Sequence, residues 1–182
     1  LLVYECTGTE TEIKEWFKTI NIAGVPLNDQ ELLNAIYSGP FVTAAKAEFS
    51  NSNNANQQKW AAYVKGDPKR QEVLEVALGW VAASQNLTID SYLAQHRNDI
   101  DINQLKTYFT SVIDWVSTVF SGTPEKEMRG LEWGRLYEEH HGKSYNPTTM
   151  ATDLAALLGD PAVPKRKGVY EYLLSGKTKP EL

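Results

Sequence analysis

A chain of 182 residues, 42% hydrophobic and 23% charged, is long enough for a domain with a hydrophobic core, and this composition excludes disorder as the default. Its net charge of −5 argues against non-specific nucleic-acid binding by the whole surface, leaving only local basic patches. The single cysteine, Cys6, excludes an internal disulfide and a cysteine-rich zinc site and fits a reducing cytoplasm; no run reaches the roughly 20 apolar residues of a membrane span.

Residues 1–6, Leu-Leu-Val-Tyr-Glu-Cys, are the one strand-like run, ended by Thr7-Gly8-Thr9. Thr9 or Thr11 then caps a helix whose apolar face is Ile13, Trp16, Phe17 and Ile20, at the i, i+3, i+4, i+7 spacing of a helix stripe. A loop, Ile22-Ala23-Gly24-Val25-Pro26-Leu27, leads to a second helix opening at Asn28, where Asn28 and Glu31 have the spacing of a capping box. Ser38-Gly39-Pro40 ends it, and Pro40 begins a third helix with Phe41, Ala44, Ala45 and Phe49. Ser50 to Gln57 is polar and turn-rich, and Trp60 and Tyr63 mark a short helix after it.

Two long helices follow. One is predicted over 68–84, with Val73, Leu74, Ala77, Leu78 and Val81 as its stripe, and one over 103–120, with Leu105, Phe109, Val112, Ile113, Val116 and Phe120. Between them Thr88 or Asp90 caps a shorter helix carrying Tyr92 and Leu93. Further helices are predicted over 124–137, 147–158 and 169–174. The expected fold is all-α: a bundle-like domain of about ten helices with one short N-terminal strand or extended segment. The start without Met and the stop at Lys179-Pro180-Glu181-Leu182 raise the expectation of a segment of a larger protein.

Several constellations invite chemistry. Glu138-Glu139-His140-His141 has metal-binding residue types, but adjacent helical residues point about 100° apart and cannot chelate as an i, i+4 pair does. His96 with Asp99 and Asp101 falls in a polar stretch that reads as an exposed loop. No nucleophile elbow or phosphate-cradling glycine loop is present, so no catalytic residue and no metal site is expected. Lys165, Arg166 and Lys167 form the densest basic cluster, suited to phosphate contact or to a solvated segment. Trp16, Trp60, Trp80, Trp115 and Trp133 lie within predicted helices and read as packing rather than base stacking. Gly130 and Gly134 interrupt the 124–137 pattern, as a close helix approach or a kink requires. The remaining set is Asn21, Gly24, Asn28, Glu31 and Asn34. Caps and a tight loop account for the first four; Asn34 with Glu31 leaves a polar flank on the second helix.

The run Phe17-x-x-Ile20-Asn21-x-x-Gly24-Val25-Pro26-Leu27-Asn28-x-x-Glu31-Leu32-x-Asn34-Ala35 resembles the second-half motif of GmrSD-like proteins. These are bacterial restriction or phage-defence proteins with a ParB/sulfiredoxin-like N-terminal domain. Trp60 to Tyr63, Arg70-Gln71 and Met128-Arg129-Gly130-Leu131-Glu132-Trp133-Gly134 look like the helical region of members that end in an HNH nuclease. The resemblance implies that residues 1–50 end the ParB/sulfiredoxin-like region and that 51–182 form a helical linker. The family's Asp-Gly-Gln-Gln-Arg-type motif and its His-Asn-His nuclease are absent from these residues, and Leu33 stands where related motifs carry Arg. The implied role is therefore a non-catalytic scaffold between domains elsewhere in the parent chain, with Glu31 and Asn34 bonding across the boundary. Nucleotide, divalent metal and DNA would belong to the full-length protein. The alternative is a helical nucleic-acid-binding or protein-interaction domain.

Overall fold

A computed structural model of the chain describes residues 7–20, 27–119 and 129–141. Helix α1 spans Glu10–Ile20. Thr9 and Glu12 open it reciprocally: the Thr9 amide donates to Glu12 Oε2 at 2.7 Å, and the Glu12 amide donates to Thr9 Oγ1 at 3.3 Å. The Thr9 amide and then the Thr9 hydroxyl, both donating to Glu12 Oε2, hold the Glu12 carboxyl below its ordinary pKa. Helix α2 spans Asp29–Ile36 and starts at Asn28; α3 spans Pro40–Phe49, with Pro40 at its first position where no amide donor is needed. A single turn, α4, covers Gln57–Trp60.

The helix expected over 68–84 is two elements. Asp67 caps a 3-10 turn over Pro68–Arg70, Gln71 takes a left-handed backbone (φ 62°), and α5 runs from Glu72 to Ser84. Proline restricts its own turn to the first position of a helix but does not fix where the following helix restarts. Thr88, not Asp90, caps α6 (Ile89–His96), accepting the Ser91 amide at 3.1 Å. Asp101 accepts the Asn103 amide at 2.6 Å as α7 (Asn103–Val119) begins.

The last described helix, α8, spans Trp133–His140; of the helix expected over 124–137, residues 124–128 lie outside the described residues. Residues 129–132 are turn rather than helix. Gly130 adopts a positive φ of 75°, and its amide donates to Tyr63 O at 2.8 Å, a geometry no helix interior provides. Among the described residues the fold is all-α, with eight α-helices and one 3-10 turn rather than about ten helices. The strand expected over 1–6 and the helices expected over 147–158 and 169–174 lie outside the described residues.

Helix α5 is the hub. It packs on α2, α3, α6, α7, α8 and the 3-10 turn, and this is why its burial is not confined to one stripe. Leu74, Ala77 and Leu78 of α5 and Leu105, Phe109 and Val112 of α7 are fully buried. Aromatic side chains fill the space between helices. Phe109 has Phe49, Trp60 and Trp80 rings at 5.2, 5.3 and 5.2 Å between centroids. Each such side chain contributes about 1.5–3 kcal/mol by burial, with edge-to-face contact adding to it. Trp133 is fully buried, and its indole N–H reaches Tyr63 O at 3.1 Å, so the largest core residue leaves no unpaired donor. A Cβ on Gly134 would come within 2.6 Å of the Trp80 ring, so the glycine lets α8 approach α5 closely. The tryptophans at 60 and 133 are core, as periodicity implies; Trp80 and Trp115 pack half-buried against it.

Candidate functional site

The polar residues singled out on α2 meet the turn that precedes α5. Asn28 and Glu31 make a complete capping box: Glu31 N donates to Asn28 Oδ1 at 2.8 Å, and Asn28 N donates to Glu31 Oε2 at 2.9 Å. Both side chains then reach beyond the helix. Asn28 Nδ2 donates to the Arg70 carbonyl at 2.8 Å, and the Arg70 guanidinium lies 3.2 Å from Glu31 Oε2. One cap therefore serves as a tertiary contact as well.

One turn further along α2, Asn34 is 5% exposed and Gln30 is 1% exposed. Gln30 Nε2 donates to Asn34 Oδ1 at 2.8 Å, and Asn34 Nδ2 donates to the Gln71 carboxamide oxygen. Three amides thus form a relay from the interior of α2 to the left-handed residue ahead of α5. Gln30 Oε1 is buried without a hydrogen-bond partner. An orphaned buried acceptor costs about 1–3 kcal/mol, so the relay is not a uniformly favourable contact. Leu33 packs on the edge of the hydrophobic core, where an Arg would have to bury or redirect its charge.

Electrostatics act against the same seam. Glu75 on α5 has its carboxyl pKa raised, first by burial and then by the charges of Asp29 on α2 and Glu72 beside it. Asp29 and Glu72 thus add to the effect of burial as like charges.

Gln30, Arg70 and Gln71 are participants that sequence reasoning left without a role. The Gln30 and Asn34 spacing of four was a usable signal, since i, i+4 amides face each other on a helix. Arg70 and Gln71 had no local signal. Of the other motif residues, Asn21 and Gly24 lie outside the described residues, as do Lys165, Arg166 and Lys167.

The remaining constellations hold no reacting centre. His96 Nδ1 lies 2.8 Å from Asp99 Oδ2 on the surface, with the imidazole packed against Tyr92 and Phe41. His141 stacks on Tyr137 with centroids 3.9 Å apart, while Glu138 accepts the Tyr108 hydroxyl at 2.6 Å and Glu139 accepts Arg135 Nε at 2.9 Å. Burial and the Glu138 bond push the Tyr108 hydroxyl far above its ordinary pKa, so it stays a donor. Among the described residues no group of three or more His, Cys, Asp or Glu is placed to hold a metal ion. An open groove beside α4, floored by Ala61, Val64, Pro68 and Val73, carries no titratable side chain in its lining. Among the described residues no helix is long and apolar enough to cross a membrane.

The capping box, the ion pair and the amide relay can hold and orient; they contain no nucleophile and no acid–base pair poised over a cavity. No family model matches the chain, and no curated protein or solved structure matches it either.

Proposed function

We propose that this chain is the non-catalytic helical scaffold and coupling segment of a GmrSD-like, HNH-linked restriction or phage-defence protein, acting in the cytoplasm on foreign DNA. The observation that carries this reading is the engagement of Asn28 and Glu31 with Arg70, and of Asn34 with Gln71, inside the chain. The stretch that resembles the family motif then serves as a mount, fixing α2 on the turn before α5. Directional hydrogen bonds suit that role because they set register and orientation, whereas apolar contact alone tolerates sliding. An upstream domain would sense nucleotide and a downstream nuclease would cut DNA with a divalent metal; the helical segment would hold the two in a working relation. On this reading Glu31 and Asn34 act on the neighbouring domain through the position of α2 rather than by touching it.

The test uses the full parent protein, expressed in bacteria and challenged with phage. The parent should lower plaque numbers, and its Asn34→Leu variant should lose protection while nucleotide binding by the upstream domain persists. A parent reading frame encoding neither the upstream Asp-Gly-Gln-Gln-Arg-type motif nor a nuclease would overturn the proposal. Salt-sensitive binding of duplex DNA by this chain alone, lost when Lys165, Arg166 and Lys167 are all changed to Ala, would favour a nucleic-acid-binding helical domain instead.

A further inference from the structure

The seam between α2 and α5 is built unlike the rest of the interior. Within the core cluster the described contributions begin at Tyr37, and α2 lends only Leu33 and Ile36 to its edge. Besides Leu32, the side chains α2 buries are amides: Gln30 and Asn34 are the buried polar side chains among the described residues, and Asn34 reaches Gln71 ahead of α5. Two features at this seam raise the free energy of the closed state. Gln30 Oε1 is desolvated with no donor. Asp29 and Glu75 repel. Gln71, which receives the relay, sits at φ 62° in the turn that leads into α5 and stays with α5. The turn on the far side is firmly made by contrast. The Asp67 amide donates to Glu72 Oε2 at 2.7 Å, Asp67 Oδ1 accepts the Lys69 amide at 2.9 Å, and a Cβ on Gly66 would meet Glu72 Cβ at 2.8 Å. Helix α1 packs on α2 and not extensively elsewhere among the described helices.

We propose that α1 and α2 form a detachable unit: the α2–α5 seam opens in one cooperative step while α3 to α8 stay folded, and the Gln30–Asn34–Gln71 relay is the latch. Closing the latch forms several directional bonds at once but strands one acceptor, so the closed state is favoured by little and can be tipped by a neighbouring domain that supplies or removes a donor. This gives the coupling role a moving part. The moving part itself rests only on the contacts of this chain, whereas its use in signalling rests on the proposed function.

Native-state hydrogen exchange on the chain in low, sub-denaturing urea tests the latch. The amides of α1 and α2 should share one opening, far below the global unfolding that limits the α5 and α7 amides. Gln71→Ala should speed exchange in α1 and α2 by about tenfold while leaving α5 and α7 unchanged. Gln30→Met combined with Asn34→Leu, which replaces the orphan and the relay by apolar contact, should slow α2 exchange instead. Leu74→Ala is the control for global destabilisation and should speed all four helices alike. The proposal is overturned if Gln71→Ala moves α2 and α5 together or moves neither. It is equally overturned if α2 in the unaltered chain exchanges as fast as free peptide. Loss of phage protection by the parent does not enter this measurement, so failure here and failure of the proposed function are separate results.

Discussion

Helix α5 takes part in two interiors of opposite character. Toward α7 and α8 it packs through aliphatic and aromatic surface: Phe109 is ringed by Phe49, Trp60 and Trp80, and Trp133 closes the end with its indole N–H satisfied. Toward α2 it meets Asn34 through Gln71, a buried acceptor without a donor, and a carboxylate that repels Glu75. The first interface gains in proportion to area and has no preferred alternative. The second gains through a few directional bonds, each with a nearby cost. A helix can thus anchor a core on one set of positions and hold a releasable neighbour on another, with the chemistry of the buried atoms deciding which.

The largest effect that would sharpen the contrast comes from the aromatic side. Phe109→Ala should cost about 3–5 kcal/mol in urea unfolding, because three packed rings cannot collapse into the space; a loss below about 1 kcal/mol would show the core to be plastic. Gly134→Ala forces a Cβ against Trp80. It should cost about 1–3 kcal/mol overall, less whatever the better helix former returns, and lower the thermal midpoint of the whole domain. On the polar side, Asn34→Ala leaves the Gln30 amide donor and the Gln71 oxygen without their partner. A cost of about 1–3 kcal/mol is expected, read mainly as faster exchange in α2; an equal loss of protection in α5 would erase the distinction between the two regions.

The smallest effect is electrostatic. Glu75 has a folded pKa raised above its unfolded value, chiefly by burial and then by Asp29 and Glu72. Its favourable contribution is therefore fully present below the unfolded pKa of about 4.5 and is lost as pH rises through the folded pKa. Acidification from neutral toward that range should tighten the seam, measured as slower α2 exchange after correction for the intrinsic rate. Glu75→Gln should remove this trend while leaving α7 unaffected. An unchanged pH profile in Glu75→Gln would show that Asp29 and Glu75 are screened from each other by solvent.

Much of the site was visible before folding was considered. The Asn28–Glu31 cap follows from residues three apart, and it forms as the spacing implies. The stripe from Leu105 to Val116 needs nothing beyond helical periodicity to be placed in the core. Of the helix predicted over 124–137, residues 133–137 are helical and 129–132 are not; in the sequence, apolar spacing through Leu131 and Leu136 outweighs two glycines, one of which takes a positive φ. Its cause is a bond to Tyr63, a residue no local window contains.

What the sequence determined by itself is the all-helical class, the cap at Asn28, the choice of Thr9 or Thr11 and of Thr88 or Asp90 for two further caps, and the apolar faces of α5 and α7. Capping and periodicity act over three or four residues and survive whatever the chain does next. Only the tertiary structure decided which partner each polar residue would find. Asn28 meets Arg70 42 positions away and Asn34 meets Gln71 37 positions away. Those pairs exist because α2 crosses the turn before α5 and the backbone turns left-handed at Gln71. The same packing closes off Gln30 from water without giving its oxygen a donor, a consequence of how two helices fit that neither helix carries alone.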